Sequence, residues 1–120
     1  MNQGSGSQHG REQRRTDRKP VDFDATVIDT IAERAFGRIG NLSATGMLLI
    51  SATPPQQEAI YQLRLPLPGI DGSHGNIDVG VQEQWHEQTA SADMIWAGYR
   101  IIAISDRDAE RLKEWLARPG

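Results

Sequence analysis

The chain has 120 residues, a formal charge of −3 and no cysteine, so it is long enough for one self-supporting core, and disulfides, thiolate catalysis and cysteine-based zinc sites are excluded. The charge is unevenly placed: "REQRRTDRKP" at 11–20 carries a local +3, which leaves −6 on residues 21–120. A basic patch on an acidic body suits an anionic partner met at one place.

Residues 1–10, rich in Gly, Ser, Gln and Asn, have almost nothing to bury and read as a disordered tail. The start has no apolar h-region and no stretch approaches a membrane span, so a cytoplasmic protein without membrane insertion is expected. From Val21 the pattern changes. "VDFDATV" alternates, with Val21, Phe23, Ala25 and Val27 on one face, and predicts a half-buried strand. "RAFGRIGN" is a weaker strand broken by Gly37 and Gly40, and "GMLLIS" is a short buried one. Pro54 and Pro55 interrupt the chain before "AIYQLRLPLP", which places Tyr61, Leu63 and Leu65 on one face. After the loop "GIDGSHGN", "IDVGVQEQW" alternates through Ile77, Val79, Val81, Glu83 and Trp85. "MIWAGYRIIAI" supplies the last strand, with Gly98 as a bulge or a close approach.

The end is helical. Ser105 and Asp108 form an N-cap and capping-box pair; Ala109, Leu112, Trp115 and Leu116 follow a helical period; Pro119 and Gly120 close it. Six strands and a terminal helix predict an all-β fold, an antiparallel barrel or sandwich, with the helix over one open end of a barrel.

Catalysis has little support. His9 lies in the tail, His74 in a loop and His86 on a strand; each reads as an ordinary surface residue, and no nucleophile elbow accompanies Ser43. No metal-ligand spacing appears, and Asp22 and Asp24 read as a solvated strand face. No enzyme, catalytic residue, metal or cofactor is expected.

Two short segments are unusual. Arg14-x-x-x-Arg18 leads straight into the first strand, and about two dozen residues later comes Asn41-x-Ser43-x-x-Gly46, leading into "MLLI". Their pairing resembles the PilZ domain, a bacterial family of receptors for cyclic di-GMP, over residues 11–118. The resemblance implies a six-stranded antiparallel β-barrel with a C-terminal helix, and a non-enzymatic switch that binds the nucleotide, orders its N-terminal segment and signals to a protein partner. It assigns ligand contacts to Arg14, Arg18, Asn41, Ser43 and Gly46. Arg15 lies in the same run, and Arg11-x-x-x-Arg15 repeats the spacing, but the register of "RKPVDF" favours Arg14 and Arg18. Gln13 stands where Arg is frequent among members that take two stacked ligand molecules.

The chemistry suits that ligand. Arg offers a planar donor fork to phosphate or to the guanine O6/N7 edge and stacks on purines. Asn41 and Ser43 add short donors and acceptors, and Gly46 permits positive φ or close approach of the ligand. A PilZ-like interaction module that binds no nucleotide is opposed by the intact arginines. A DNA- or RNA-binding barrel would need aromatic platforms and a basic groove, whereas the body is acidic and several of the seven aromatics hold core-like positions.

Overall fold

The computed structural model describes residues 19–21, 23, 25–69, 73–89 and 94–118. The tail, His9, the arginine run, Asp22, Asp24, Pro119 and Gly120 lie outside the described residues.

The strands are β1 (Lys19–Pro20), β2 (Thr26–Asp29), β3 (Arg34–Leu42), β4 (Gly46–Ser51), β5 (Ile60–Pro66), β6 (Asn76–Gln88) and β7 (Ile95–Ile104), followed by helix α1 (Asp106–Ala117). All pairings are antiparallel, in the order β1-β3-β2-β5-β6-β7-β4, and β4 returns to β3 to close the sheet. The closed structure is the expected six-stranded barrel with one C-terminal helix, because β1 and β2 run along the same partner. Lys19 pairs with Leu42 and Pro20 with Asn41, and the ladder resumes at Thr26 opposite Arg38.

The first strand therefore departs from the alternation expected for 21–27. Ala25 and Val27 are buried and Val21 and Phe23 pack against the core, as the pattern requires, but regular pairing starts only at Thr26. Phe23 meets the Trp115 ring edge-on at 6.1 Å, taking the backbone out of the ladder to reach the helix. Strand β3 also differs from expectation. It runs unbroken through both glycines, with an irregularity around Gly40.

Alternate residues of the closed sheet fill the interior. Val27, Leu42, Met47, Leu49, Leu63, Leu65, Ile77, Val79 and Val81 are buried, and Leu112 and Trp115 of the helix join the same core. Burying apolar area of this kind, worth roughly 25 cal/mol per Å², is the main stabilising term. Ser105 caps α1 by accepting the Asp108 N–H at 3.1 Å. Only half of the capping box forms, because the Asp108 carboxylate accepts the Asp78 N–H of β6 at 3.0 Å and so fastens the helix to the barrel. No described helix is long and apolar enough to cross a membrane.

Candidate functional site on the outer barrel face

Residues 43–45 join β3 to β4, and Ser43 organises this connection. Its N–H donates to the Gly46 carbonyl at 2.9 Å. Its hydroxyl donates to the same carbonyl at 3.2 Å and accepts the N–H groups of Thr45 at 3.3 Å and Gly46 at 3.1 Å. One donor and two acceptor sites are all that a hydroxyl has. Buried and fully engaged, Ser43 acts on the turn. The Thr45 carbonyl in turn accepts the Ile101 N–H at 2.8 Å, tying the turn to β7.

Gly46 has a reason that its sequence context does not reveal. Its φ lies outside the left-handed region, and a Cβ there would stand 2.5 Å from the Tyr99 carbonyl oxygen. The glycine lets β4 approach the backbone of β7.

The register then sets two neighbouring rows across the sheet. Leu42, Met47, Tyr99 and Glu83 stand opposite one another in turn and all point inward, none more than 3 % exposed. One residue along, Asn41, Leu48, Gly98 and Trp85 form the outward row, with Pro20 beside Asn41. Gly46, Arg100 and Gln82 follow on the same outer side, where Arg100 Nη2 donates to Gln82 Oε1 at 3.4 Å. Asn41 to Trp85 is three strand spacings, about 14 Å.

Trp85 does not continue the inward face that the alternation predicts. A β-bulge at Gln84 separates the pairs Glu83–Tyr99 and Trp85–Gly98, so Glu83 stays inside and Trp85 turns out. Its indole lies over Gly98, where a Cβ would sit 2.8 Å from Cε2, and 47 % of the residue remains exposed. Gly98 is thus the close approach that the sequence allowed. Trp96, on the same face, is 42 % exposed. Two of the seven aromatics are therefore partly exposed on the outer face rather than core.

Glu83 is a buried carboxylate with a structural task. It accepts the Glu58 N–H at 2.8 Å and lies 2.6 Å from His86 Nδ1. Burial pushes its pKa up, but the Glu58 N–H and His86 outweigh it and hold the carboxyl below its usual range. It pins a turn in which Glu58 adopts φ 59°. His86, read from sequence as an ordinary surface residue, is exposed yet is a partner of this buried acid. Burial, with Tyr61 and Glu83 nearby, raises the Tyr99 pKa and keeps the phenol neutral.

Lys19 is the described residue nearest the arginine run. Its Nζ donates to the carbonyls of Trp115 at 2.8 Å and Arg118 at 3.0 Å and lies 4.3 Å from the centre of the Trp115 ring. The structure thus brings Asn41, Ser43 and Gly46 together beside β1, while Arg14, Arg15 and Arg18 are outside the described residues. The sequence reading did not single out Arg100, and it placed Trp85 on the inward face and Gly98 only as a bulge or close approach. Their only signals were a glycine in a strand and an aromatic beside a run of polar residues. Among the described residues no three His, Asp or Glu side chains converge to hold a metal.

The barrel has an interior filled by alternate strand residues and an outer face that leaves Trp85 and Trp96 exposed, the architecture of a small closed β-domain. The chain belongs to the PilZ domain family, whose model matches residues 12–118. It is similar in structure to the Bacillus subtilis inhibitor of motility (MotI/DgrA), with a TM-score of 0.68 at 16% identity, over 87% of this chain and 49% of that one. It is similar also to K. pneumonia MrkH in its c-di-GMP complex, with a TM-score of 0.67 at 17% identity, over 86% of this chain and 50% of that one. The chain spans about half the length of each, and the likeness is one of fold. No curated protein matches it by sequence.

Proposed function

We propose that the chain is a receptor for cyclic di-GMP, binding the nucleotide on the outer face between the arginine segment and the row from Asn41 to Trp85. Membership of the PilZ family supports the ligand class, as does the c-di-GMP bound by the similarly folded MrkH. One observation carries the placement. Lys19 and Pro20 pair with Leu42 and Asn41, so the first described residues after the arginine run lie against the strand that leads into the N-x-S-x-x-G turn. Residue 19, next after the arginine run in sequence, is thereby paired beside the second motif, which supports a shared site.

The roles follow from chemistry. Arg14 and Arg18 present guanidinium forks to phosphate and to guanine edges, with Arg15 adding charge. Asn41 reads a base edge. Ser43 holds the turn in shape, and Gly46 keeps β4 close to β7. Arg100 supplies a cation from the barrel itself, and Trp85 offers a stacking face to a guanine. The action is binding: the nucleotide fixes residues 11–18 across the face and presents a new surface to a protein partner. No cofactor is involved.

Calorimetric titration tests this, with GMP and GTP as controls. The wild-type chain should take up cyclic di-GMP and neither control. Arg18→Ala should lose at least about tenfold in affinity, the scale of a charge-assisted contact, with an unchanged melting temperature. A folded wild-type chain that binds no cyclic di-GMP would overturn the receptor reading in favour of a pure interaction module. Equal affinity in Arg18→Ala would overturn the site.

A further inference from the structure

We propose that Lys19 is a positioning residue that couples the C-terminal helix to the nucleotide face. This inference rests on the receptor reading above. One ammonium makes three contacts, all with the last turn of a helix nearly a hundred residues away: the Trp115 carbonyl, the Arg118 carbonyl and the Trp115 ring.

The helix end gains charge from this partner, because the Arg118 N–H already reaches the Trp115 carbonyl at 3.2 Å but brings no cation. Carbonyls at a helix C-terminus lack intrahelical donors and carry partial negative charge. Here the last turn contains no basic side chain, and Arg118 ends the helix in an extended conformation rather than a left-handed cap. Lys19 supplies from the far end of the chain the cation that the helix lacks. Trp115 is held from a second direction by Phe23, on the other side of β1 in sequence.

The same residue faces the binding site through its backbone. Lys19 pairs with Leu42, the neighbour of Ser43, and it is bonded to Arg18. A ligand seated on the 41–46 turn bears on the Leu42 backbone and, through that pair, on Lys19, and the grip on the helix end tightens with it. Coupling of this kind is reciprocal: a docked helix raises nucleotide affinity, and bound nucleotide protects the helix end. The last turn of α1 thereby becomes a reporter of ligand occupancy, on a surface distinct from the nucleotide face.

The test combines cyclic di-GMP titration with amide exchange at residues 115–118 in the wild type, Lys19→Met and Lys19→Arg. Met keeps the apolar stem without the charge, and Arg restores charge and donors. In the wild type, nucleotide should slow exchange of these amides. In Lys19→Met that response should vanish and affinity should fall at least about fivefold, the lower end of typical coupling; Lys19→Arg should recover most of both. Should Lys19→Met not fold, Trp115→Phe keeps a ring in the core while weakening its attraction for the ammonium, and should shift both readouts the same way. A residue that merely capped the helix would speed exchange equally with and without nucleotide and leave affinity unchanged; that result overturns the coupling and spares the receptor. A wild type that binds no cyclic di-GMP overturns both.

Discussion

Two adjacent rows of the same sheet obey different rules. Leu42, Met47, Tyr99 and Glu83 point inward and are packed to near-complete burial. Asn41, Leu48, Gly98 and Trp85, each within one or two residues of a member of the first row, point outward. The inner row contains what a barrel needs: two aliphatic side chains, a neutral phenol, and a carboxylate with two partners. The outer row contains an amide, a half-buried leucine, a glycine that clears room for an indole, and a tryptophan nearly half exposed. Stability explains the first row, whereas the exposed indole seated over Gly98 is not required by the core and supports the proposal of binding on the second.

The contrast is best broken by substitutions that should act on one row alone. The largest effect is expected from Leu42→Ala, which removes a fully buried side chain and should cost about 3 kcal/mol. Chemical denaturation would read that loss, and the protein that remains folded should keep its affinity for cyclic di-GMP. A loss of affinity without a loss of stability would mean that the rows are wrongly assigned.

Gly46→Ala comes next and sharpens the boundary between the rows. The added methyl meets the Tyr99 carbonyl at 2.5 Å, and relieving it should cost roughly 1–3 kcal/mol with or without ligand. A variant that melts like the wild type but binds poorly would show that the glycine serves the ligand and not the strands.

Trp85→Ala should do the reverse of Leu42→Ala. Losing a base-stacking face costs about 1–3 kcal/mol of binding, read as a roughly five- to hundredfold weaker affinity by titration. Its melting temperature should shift little, since nearly half of the residue is exposed and its indole packs over Gly98 on the outer face. Unchanged affinity would remove Trp85 from the site.

The smallest effect belongs to Glu83 and to acid. Its carboxyl pKa is depressed in the folded state, so its contribution to stability is complete above the ordinary carboxylate value near pH 4. That contribution is lost as pH falls through the lower folded value. Melting curves of the wild type and Glu83→Gln should therefore converge as the pH drops from 6 towards 3. Curves that stay parallel would mean that the carboxylate is not charged in the fold.

Much of the barrel could be read from the sequence, because alternation reports a half-buried strand directly. Ile77, Val79, Val81 and Glu83 fell on one face as written, and Ser105 capped the helix. What escaped depends on contacts between distant segments. Phe23 leaves its ladder for a tryptophan at the other end of the chain. The Gln84 bulge depends on the partner strand, and it alone decides that Trp85 faces out. Gly46 is explained by a carbonyl of β7, which no local pattern encodes. The motif residues Asn41, Ser43 and Gly46 were visible as a cluster because they are close in sequence. Arg100 and Trp85 reach that cluster only through strand register. Lys19 looked like one more charge in a basic run, since its partners are backbone carbonyls.

The most direct test of the outer face is a titration of the ¹⁵N-labelled chain with cyclic di-GMP, followed through its amide and indole N–H signals. The two rows then report separately in one experiment. The Trp85 indole and the amides of Asn41, Gly98 and Arg100 should shift and saturate together, while those of Val79, Leu63 and Leu65 on the inner side of the barrel stay in place. Saturable binding that leaves Trp85, Asn41, Gly98 and Arg100 unmoved would contradict binding on the outer face.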